Sequence, residues 1–228
     1  KFVATLASSD RSDFMPRTLS ASDAIIDDTM KRLAILLAAT IALATLLGCA
    51  THIASATDPA VIAVETWGGT RVNVGPTRKH DIKHITLHHG GVDFLRGADA
   101  PHYLRNLQMW SRNTRGWPDI PYHYLIDPDG KIYEGRDITL AGDTNTEYDP
   151  VGHALVVVLG DFDKIEPNTA QLDATVNVMA MLAKRFNVAP ATIQSHRDYA
   201  KTSCPGKYLY PYIESGELAR RVTAKIKA

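Results

Sequence analysis

The apolar run from Ala154 to Leu159 constrains the fold of this 228-residue chain more than any other stretch. All six residues are apolar and the central three are valines, which is typical of a strand that is buried on both faces. A helix is predicted to follow, with Asn168 or Thr169 at its N-cap. Its apolar residues recur at helical spacing, namely Leu172, Val176, Met179, Ala183 and Phe186. A doubly covered strand with a helix after it favours an α/β fold.

An earlier strand and helix fit the same architecture. Ile85–His88 is largely apolar and β-branched, and it predicts the first core strand. Asp99 and Pro101 are typical of a helix start, and Gly116 is typical of a helix end. The apolar residues Tyr103, Leu107 and Trp110 recur at helical spacing and predict an amphipathic helix, in which Trp110 is expected to be a core residue.

A hairpin and a terminal helix complete the predicted elements. Tyr122–Asp127 alternates as a strand, Asp127–Gly130 has strong turn chemistry, and Lys131–Glu134 is predicted to return as the partner strand. Residues 214–227 predict a helix at the end of the chain. Together the elements predict one α/β domain with a mixed central β-sheet flanked by helices.

Two distant segments carry the residue types of a metal site. His88 ends the strand predicted at 85–88, while His196 and Cys204 lie eight positions apart in a loop-like segment. Three nitrogen or thiolate ligands with one open position are the arrangement of a catalytic zinc, which lowers the pKa of its water ligand to about 7. We therefore predict one Zn²⁺ per chain. The alternatives are that His88 is a satisfied core histidine and that Cys204 is an inert buried thiol.

The N-terminal region predicts export rather than a folded domain. Met30-Lys31-Arg32, an apolar run over 33–47 and the small residues at Gly48 form a signal peptide over residues 30–48. A run of about 15 apolar residues is shorter than the ~20 that a spanning helix needs. The residues before Cys49 also resemble the lipobox of bacterial lipoproteins, which implies lipidation at Cys49. The alternative is an uncleaved anchor helix with Cys49 as a plain apolar residue.

These signals give the expected domain boundaries. Residues 1–29 are expected to be a non-native or mis-called extension, because Met30 is the expected start. Residues 49–70 are expected to be a lipidated N-terminus and an Ala/Thr/Ser-rich tether, in which Trp67 is expected to begin the packing against the domain. Residues 71–228 are expected to form the zinc domain. The formal net charge is zero, which gives no reason to expect nucleic acid as a partner.

Four motifs in consistent order resemble one known family. They are Leu87-His88-His89, Pro121–Ile126, Gly130–Arg136 and His196-Arg197-Asp198 with Cys204-Pro205-Gly206. They resemble the type 2 N-acetylmuramoyl-L-alanine amidases, which share a fold with peptidoglycan recognition proteins and phage amidase lysins.

The resemblance covers roughly residues 70–215. It implies hydrolysis of the amide between N-acetylmuramic acid and L-alanine in peptidoglycan or its fragments. It also implies His88, His196 and Cys204 as zinc ligands, Tyr122 as the active-site tyrosine, and Thr202 at a position that assists the transition state. Thr202 is alternatively a residue that only orders its loop.

Three further residues are candidates for substrate contact. Strand alternation turns His89 away from His88, so we weigh a structural role evenly against a place in the groove. Trp117 is expected either to line the glycan or peptide groove or to pack on the surface. His123 is a candidate for substrate contact, although alternation turns it away from Tyr122 and favours a structural role over a catalytic one.

The chain departs from the family at one chemically important position. Relatives with a catalytic glutamate carry it where this chain has Val156-Val157-Val158, so the resemblance implies the tyrosine-assisted subgroup. We expect an enzyme that is monomeric, attached to the membrane through the lipid at Cys49, and located in the bacterial cell envelope. The alternatives are a muropeptide-binding recognition module without catalysis and a toxin or lysin with the same domain.

Overall fold

The computed structural model describes residues 58–72 and 78–228. The predicted signal peptide, the lipidation at Cys49 and the first part of the predicted tether lie outside the described residues. Within the described ranges, no helix has both the length and the apolar character needed to cross a membrane.

Among the described residues, six strands form one sheet, and this sheet is mixed, as predicted. They are β1 (Val61–Ile62), β2 (His84–His89), β3 (Tyr124–Ile126), β4 (Ile132–Glu134), β5 (His153–Val158) and β6 (Gln194–Ser195). Their order across the sheet is β1-β4-β3-β5-β2-β6. Only β3 and β4 pair antiparallel, as the two strands of the predicted hairpin. The central strand β5 is buried along its whole length, as its apolar sequence predicts.

One face of the sheet is covered by helices from the C-terminal half of the chain. Helix α2 (Thr169–Phe186) begins at Asn168, whose side chain forms a capping box with Gln171, and ends at Asn187 in the left-handed conformation. The alternating strand residues Ile85, Leu87, Val156 and Val158 share a core cluster with the apolar side of this helix. The predicted helix therefore packs as its periodicity indicates.

The C-terminal helix is shorter than predicted. Residues 214–227 do not form one helix, because the chain bends between α3 (Pro211–Glu214) and α4 (Glu217–Lys227). Gly216 lies between them with a φ of +70°, a backbone conformation that side-chain-bearing residues rarely adopt. The glycine at this position allows the turn, and α4 then packs Leu218 and Val222 into the core.

The opposite face is covered by α1 (Ala100–Arg115), which starts at the Asp99 cap and stops at Gly116 as predicted. The helix is amphipathic as predicted, since Tyr103 and Leu107 pack against the apolar cluster that contains Leu104, but the predicted core position of Trp110 is wrong. The buried residues of the helix are Ala100, Leu104, Gln108 and Ser111, whereas Trp110 is 42% exposed. Tyr103, Leu107 and Trp110 also line a cavity at the edge of the sheet.

The domain begins before residue 71. Residues 58–70, predicted as part of a tether, contribute strand β1, which pairs parallel with β4. Trp67 is 2% exposed, and its indole Nε1–H donates to the carbonyl of Glu134 over 2.8 Å. This short stretch belongs to the domain because it covers apolar surface next to α1, where Trp67 is in one cluster with Leu104 and Ile120.

Candidate metal centre

Two parallel strands bring the predicted metal ligands together. Strands β2 and β6 are parallel neighbours with Leu87 opposite Ser195, so their carboxyl ends meet at the same edge of the sheet. His88 lies at the end of β2, and His196 follows β6 directly. The rings of these two histidines are 4.7 Å apart between centroids. Cys204 completes the group, with its Sγ 3.7 Å from His88 Nδ1.

His88, His196 and Cys204, hereafter the donor set, are all buried, and their ligand atoms lie within 4.8 Å of one another. It is the only group of at least three His, Cys, Asp or Glu side chains with this geometry among the residues that the structure describes. Two imidazole nitrogens and one sulfur are donors that suit zinc. The residue types and their spacing therefore fit one metal ion of this kind.

The loop that carries Cys204 is held by several backbone contacts. The backbone N–H of His89 donates to Sγ over 3.4 Å, and Arg197 donates to the carbonyl of Ser203 over 2.6 Å. Gly206 has a φ of +95°, and a Cβ there would lie 2.5 Å from the backbone of Phe162. Only glycine allows this close approach, so the Cys-Pro-Gly sequence fixes the position of the thiol.

Burial controls the charge of the donor set. Desolvation holds the pKa of His88 well below its usual value, and the neighbouring His196 adds to the shift. The pKa of His196 is lowered to about 4, chiefly by burial, although Glu147 opposes the shift. Both imidazoles are therefore neutral at pH 7 and retain a lone pair for a metal. Burial raises the pKa of the Cys204 thiol to about 12.

The donor set lines a cavity of about 440 Å³. Tyr122 and Thr202 line this cavity, and the Tyr122 ring lies 5.2 Å from that of His88. Burial raises the pKa of the Tyr122 hydroxyl above its usual value, so it stays a neutral donor. The Thr202 hydroxyl oxygen accepts from the backbone N–H of Cys204 over 3.2 Å, which leaves its own O–H free to donate into the cavity.

Aromatic side chains form the outer wall of the cavity. Trp117 lines it and meets Trp110 edge to face at 5.9 Å, with the guanidinium of Arg115 4.9 Å above the Trp117 ring. An amphiphilic wall of this kind can stack on a sugar or a peptide. Substrate contact by Trp117 stays a prediction.

The other two candidates for substrate contact, His89 and His123, form hydrogen bonds with the backbone. His89 also borders the cavity, but its Nδ1 accepts from the backbone N–H of Phe162 over 3.3 Å. His123 is fully buried outside the cavity, and its two ring nitrogens bond the backbone of Leu140 and Leu155. Direct substrate contact by His123 is therefore corrected to a structural role, because neither ring nitrogen faces the cavity.

Sequence reasoning missed the loop between Gly142 and Asp149, hereafter the threonine loop. Thr146 Oγ1 lies 2.7 Å from His196 Nε2, and the Tyr148 hydroxyl lies 3.5 Å from His88 Nε2. No periodicity or motif identifies these residues. The signal that was present is only a set of hydroxyl side chains in a polar segment after a Gly, which is common in loops.

Comparison with known proteins agrees with this geometry. The sequence model of the N-acetylmuramoyl-L-alanine amidase family matches residues 78–207, a range that contains the whole donor set. The chain is similar to peptidoglycan recognition protein 1 of Mus musculus, with 30% identity over 141 residues that cover 60% of this chain and 77% of that protein.

The fold is similar to that of solved recognition proteins. Drosophila PGRP-LB matches with a TM-score of 0.61 and 26% identity, covering 68% of this chain and 93% of that one. A mutant of PGRP-LB in complex with tracheal cytotoxin matches with a TM-score of 0.61, 25% identity and the same coverage.

Proposed function

This chain belongs to the N-acetylmuramoyl-L-alanine amidase family, and from that premise we propose that it is a zinc-dependent amidase. Its substrate is the amide bond between N-acetylmuramic acid and L-alanine in peptidoglycan or its fragments. The observation that carries the proposal is the donor set of His88, His196 and Cys204 in the lining of a 440 Å³ cavity. The buried neutral histidines and the thiol suit zinc, so the residues present fit the metal.

The chemistry requires a strong nucleophile and a stabilised oxyanion. Zinc held by the donor set would supply a Lewis acid and activate water at neutral pH. In the overall reaction the carbon–nitrogen bond of the amide breaks, the acyl carbon gains a hydroxyl from water, and the L-alanine nitrogen gains a proton. The side chains that line the cavity would supply the hydrogen bonds that stabilise the oxyanion.

Tyr122 and Thr202 are the donors for the developing negative charge. The raised pKa of Tyr122 keeps its hydroxyl protonated at neutral pH, so it can donate to the oxygen on which the charge grows. Thr202 is oriented by the Cys204 N–H and directs its own hydroxyl as a second donor. Val157 lines the cavity and forms an apolar wall that excludes water rather than supplying a carboxylate base.

A muropeptide-binding module without hydrolysis is the second candidate. The observation in its favour is that several similar proteins are named for recognition. The complete donor set and Tyr122 favour the amidase, because a module that only binds has no need of three buried metal-binding side chains.

A digest of purified muropeptides, read by mass spectrometry, tests the two candidates. The full chain, a Cys204→Ser variant and a Ser203→Ala control are compared, and zinc content and circular dichroism are measured on each. We expect free stem peptide beginning with L-alanine from the wild-type chain and from the Ser203→Ala control. We expect neither product nor stoichiometric zinc from the folded Cys204→Ser variant. Stoichiometric zinc and muropeptide binding without cleavage by the wild-type chain would overturn the amidase in favour of the recognition module.

We also propose that the chain is exported and lipidated at Cys49 in a bacterial cell envelope. The support is the basic and apolar pattern before Cys49. Cells fed an alkyne-tagged fatty acid should label the wild-type chain and the Cys204→Ser variant but not a Cys49→Ala variant. Equal labelling of the Cys49→Ala variant would contradict lipidation at this residue.

A further inference from the structure

The threonine loop contacts both histidines of the donor set, and its residues Thr144 and Thr146 also line the cavity. Thr146 Oγ1 is 2.7 Å from His196 Nε2, and the Tyr148 hydroxyl is 3.5 Å from His88 Nε2. The Thr144 hydroxyl is also 3.4 Å from His196 Nε2, so this one short segment places hydroxyls at the same nitrogen, Nε2, of each ring. The contact of Tyr148 is the longer of the two, so we expect its effect to be the smaller.

The choice of nitrogen has a chemical consequence. A neutral imidazole carries one proton, and only its other nitrogen offers a lone pair to a metal. A hydroxyl oxygen that accepts a hydrogen bond from Nε2–H leaves Nδ1 as that lone-pair donor. In His88 this nitrogen is the one that lies 3.7 Å from the Cys204 sulfur, toward the rest of the donor set.

We infer that Thr146 and Tyr148 are positioning residues that hold the protons of His196 and His88 on Nε2 and leave Nδ1 of each ring free to bind the metal. The inference rests on the proposed zinc site. Neither residue needs to touch the substrate: Tyr148 acts through His88, and Thr146 acts through His196. Ligand histidines in metalloproteins commonly have such an outer hydrogen-bond partner, and its loss typically weakens metal affinity about 10- to 100-fold.

The loop is fastened at both ends, which keeps these hydroxyls in place. Near its start, Asp143 pairs with the buried Arg136 over 2.5 Å and with Arg78 over 3.1 Å. At its end, Asp149 pairs with the same Arg78 over 2.9 Å. A Cβ on Gly142 would lie 2.4 Å from the carbonyl oxygen of Pro121, so the loop enters along a path that only glycine allows.

Contacts within the loop orient the two side chains further. The Thr144 and Thr146 hydroxyls are 2.8 Å apart, so Thr146 has a second hydrogen-bond partner and a restricted rotamer. The Tyr148 ring stacks on Tyr199 with 5.6 Å between centroids and lies 5.2 Å from the His196 ring. Both hydroxyls are therefore preorganised before any metal binds.

Two measurements on the full chain test the inference. In metal-free protein, ¹⁵N NMR of the ring nitrogens reports the tautomer of each histidine. Competition with a chelator gives the zinc dissociation constant. The variants are Thr146→Val and Tyr148→Phe, with Thr146→Ser as the rescue that keeps the hydroxyl. Thr139→Val and Tyr212→Phe are matched controls, because the Thr139 hydroxyl donates to Asp137 and Tyr212 packs against the apolar core.

We expect both histidines to carry the proton on Nε2 in the wild type. Thr146→Val should populate the other tautomer of His196 and raise the zinc dissociation constant about 10- to 100-fold. Tyr148→Phe should do the same at His88 with an increase nearer 10-fold. Thr146→Ser and the two controls should stay within about twofold of the wild type.

Two outcomes would overturn the inference. One is a wild-type His196 that carries its proton on Nδ1, and the other is unchanged zinc affinity and tautomers in both variants. A wild-type chain that binds no zinc would defeat the proposed function instead. The tautomer measurement on metal-free protein would still decide whether the threonine loop positions the two rings.

Discussion

Desolvation acts in opposite directions on the histidines and on the tyrosine around the cavity. It lowers the pKa of His88 and His196, and it raises the pKa of Tyr122. All three groups are neutral at pH 7 as a result. The histidines keep their lone pairs and the tyrosine keeps its proton, so one physical cause prepares both the ligands and the oxyanion donor.

Removal of the Tyr122 hydroxyl should separate catalysis from metal binding. We expect Tyr122→Phe to lower kcat for amide hydrolysis about 100- to 1000-fold, the usual cost of one oxyanion donor. Zinc content should be unchanged, because Tyr122 is outside the donor set. Steady-state kinetics with zinc analysis measures both quantities, and Tyr212→Phe is the control. A rate within a factor of three of the wild type would show that Tyr122 is not the donor.

The donor set could be predicted from sequence, whereas its outer partners could not. His88 ends a recognisable strand, and the His196–Cys204 spacing stands in a segment with Pro and Gly, so residue types and order were sufficient. Thr146 and Tyr148 reach the same histidines only through the path of an irregular loop. Such a path depends on tertiary anchors, here Arg136 and Arg78, that no local pattern reveals.

Helix α1 shows the limit of periodicity at the scale of an element. Its boundaries follow from Asp99 and Gly116, which cap it as predicted. Its apolar stripe did not reveal that the same residues line a cavity, because a cavity wall and a core face have the same pattern. Leu104 packs against the sheet, whereas Trp110 stands at the cavity on the neighbouring stripe. Distinguishing the two requires knowledge of where the helix crosses the sheet.

Strands β3 and β5 are tied together by a buried histidine that makes the sheet sensitive to acid. His123 Nδ1 accepts from the backbone N–H of Leu155, and its Nε2 bonds the carbonyl of Leu140. Burial lowers its pKa from 6.5 to about 3, and the nearby His80 and Arg136 also lower the pKa. The unfolded chain therefore binds a proton at this residue over the range from pH 6.5 down to about 3, while the folded chain does not.

The free energy of unfolding should consequently fall with pH. The contribution of His123 is fully present above pH 6.5 and is lost at about 1.4 kcal/mol per pH unit below it. Between pH 7 and pH 5 the loss from this residue is about 2 kcal/mol. Urea titrations of chelator-treated protein measure it. His123→Gln is the comparison, and its unfolding free energy should fall by about 2 kcal/mol less over the same interval. Parallel pH profiles for the two proteins would contradict this assignment.

At the scale of the whole molecule, the two faces of the sheet have different roles. One face packs Val156 and Val158 against α2 and α4, and the strong apolar periodicity of α2 predicts its packing correctly. The other face shares its surface between a small core, the cavity and the segment 58–72. That segment escaped prediction because β1 has only two residues, Val61 and Ile62, too few to show alternation.

Trp67 is the residue through which this segment stabilises the domain. It is almost fully buried, its indole bonds the carbonyl of Glu134, and its own carbonyl accepts from Arg105 over 2.8 Å. We expect Trp67→Ala to lower the free energy of unfolding by about 3–5 kcal/mol, because a large buried side chain is lost and a cavity remains. Thr66→Ala, at an exposed neighbouring position, should change it by less than about 0.5 kcal/mol.

Chemical denaturation of both variants measures these values, and a chain that starts at residue 71 provides an independent comparison. If residues 58–70 are part of the domain, this truncation should be at least as destabilising as Trp67→Ala, since it also removes β1 from the sheet edge. If they are a tether, the truncation and the substitution should both leave the unfolding free energy within about 1 kcal/mol of the wild type, a change typical of surface sites. The second result would mean that the domain begins at residue 71.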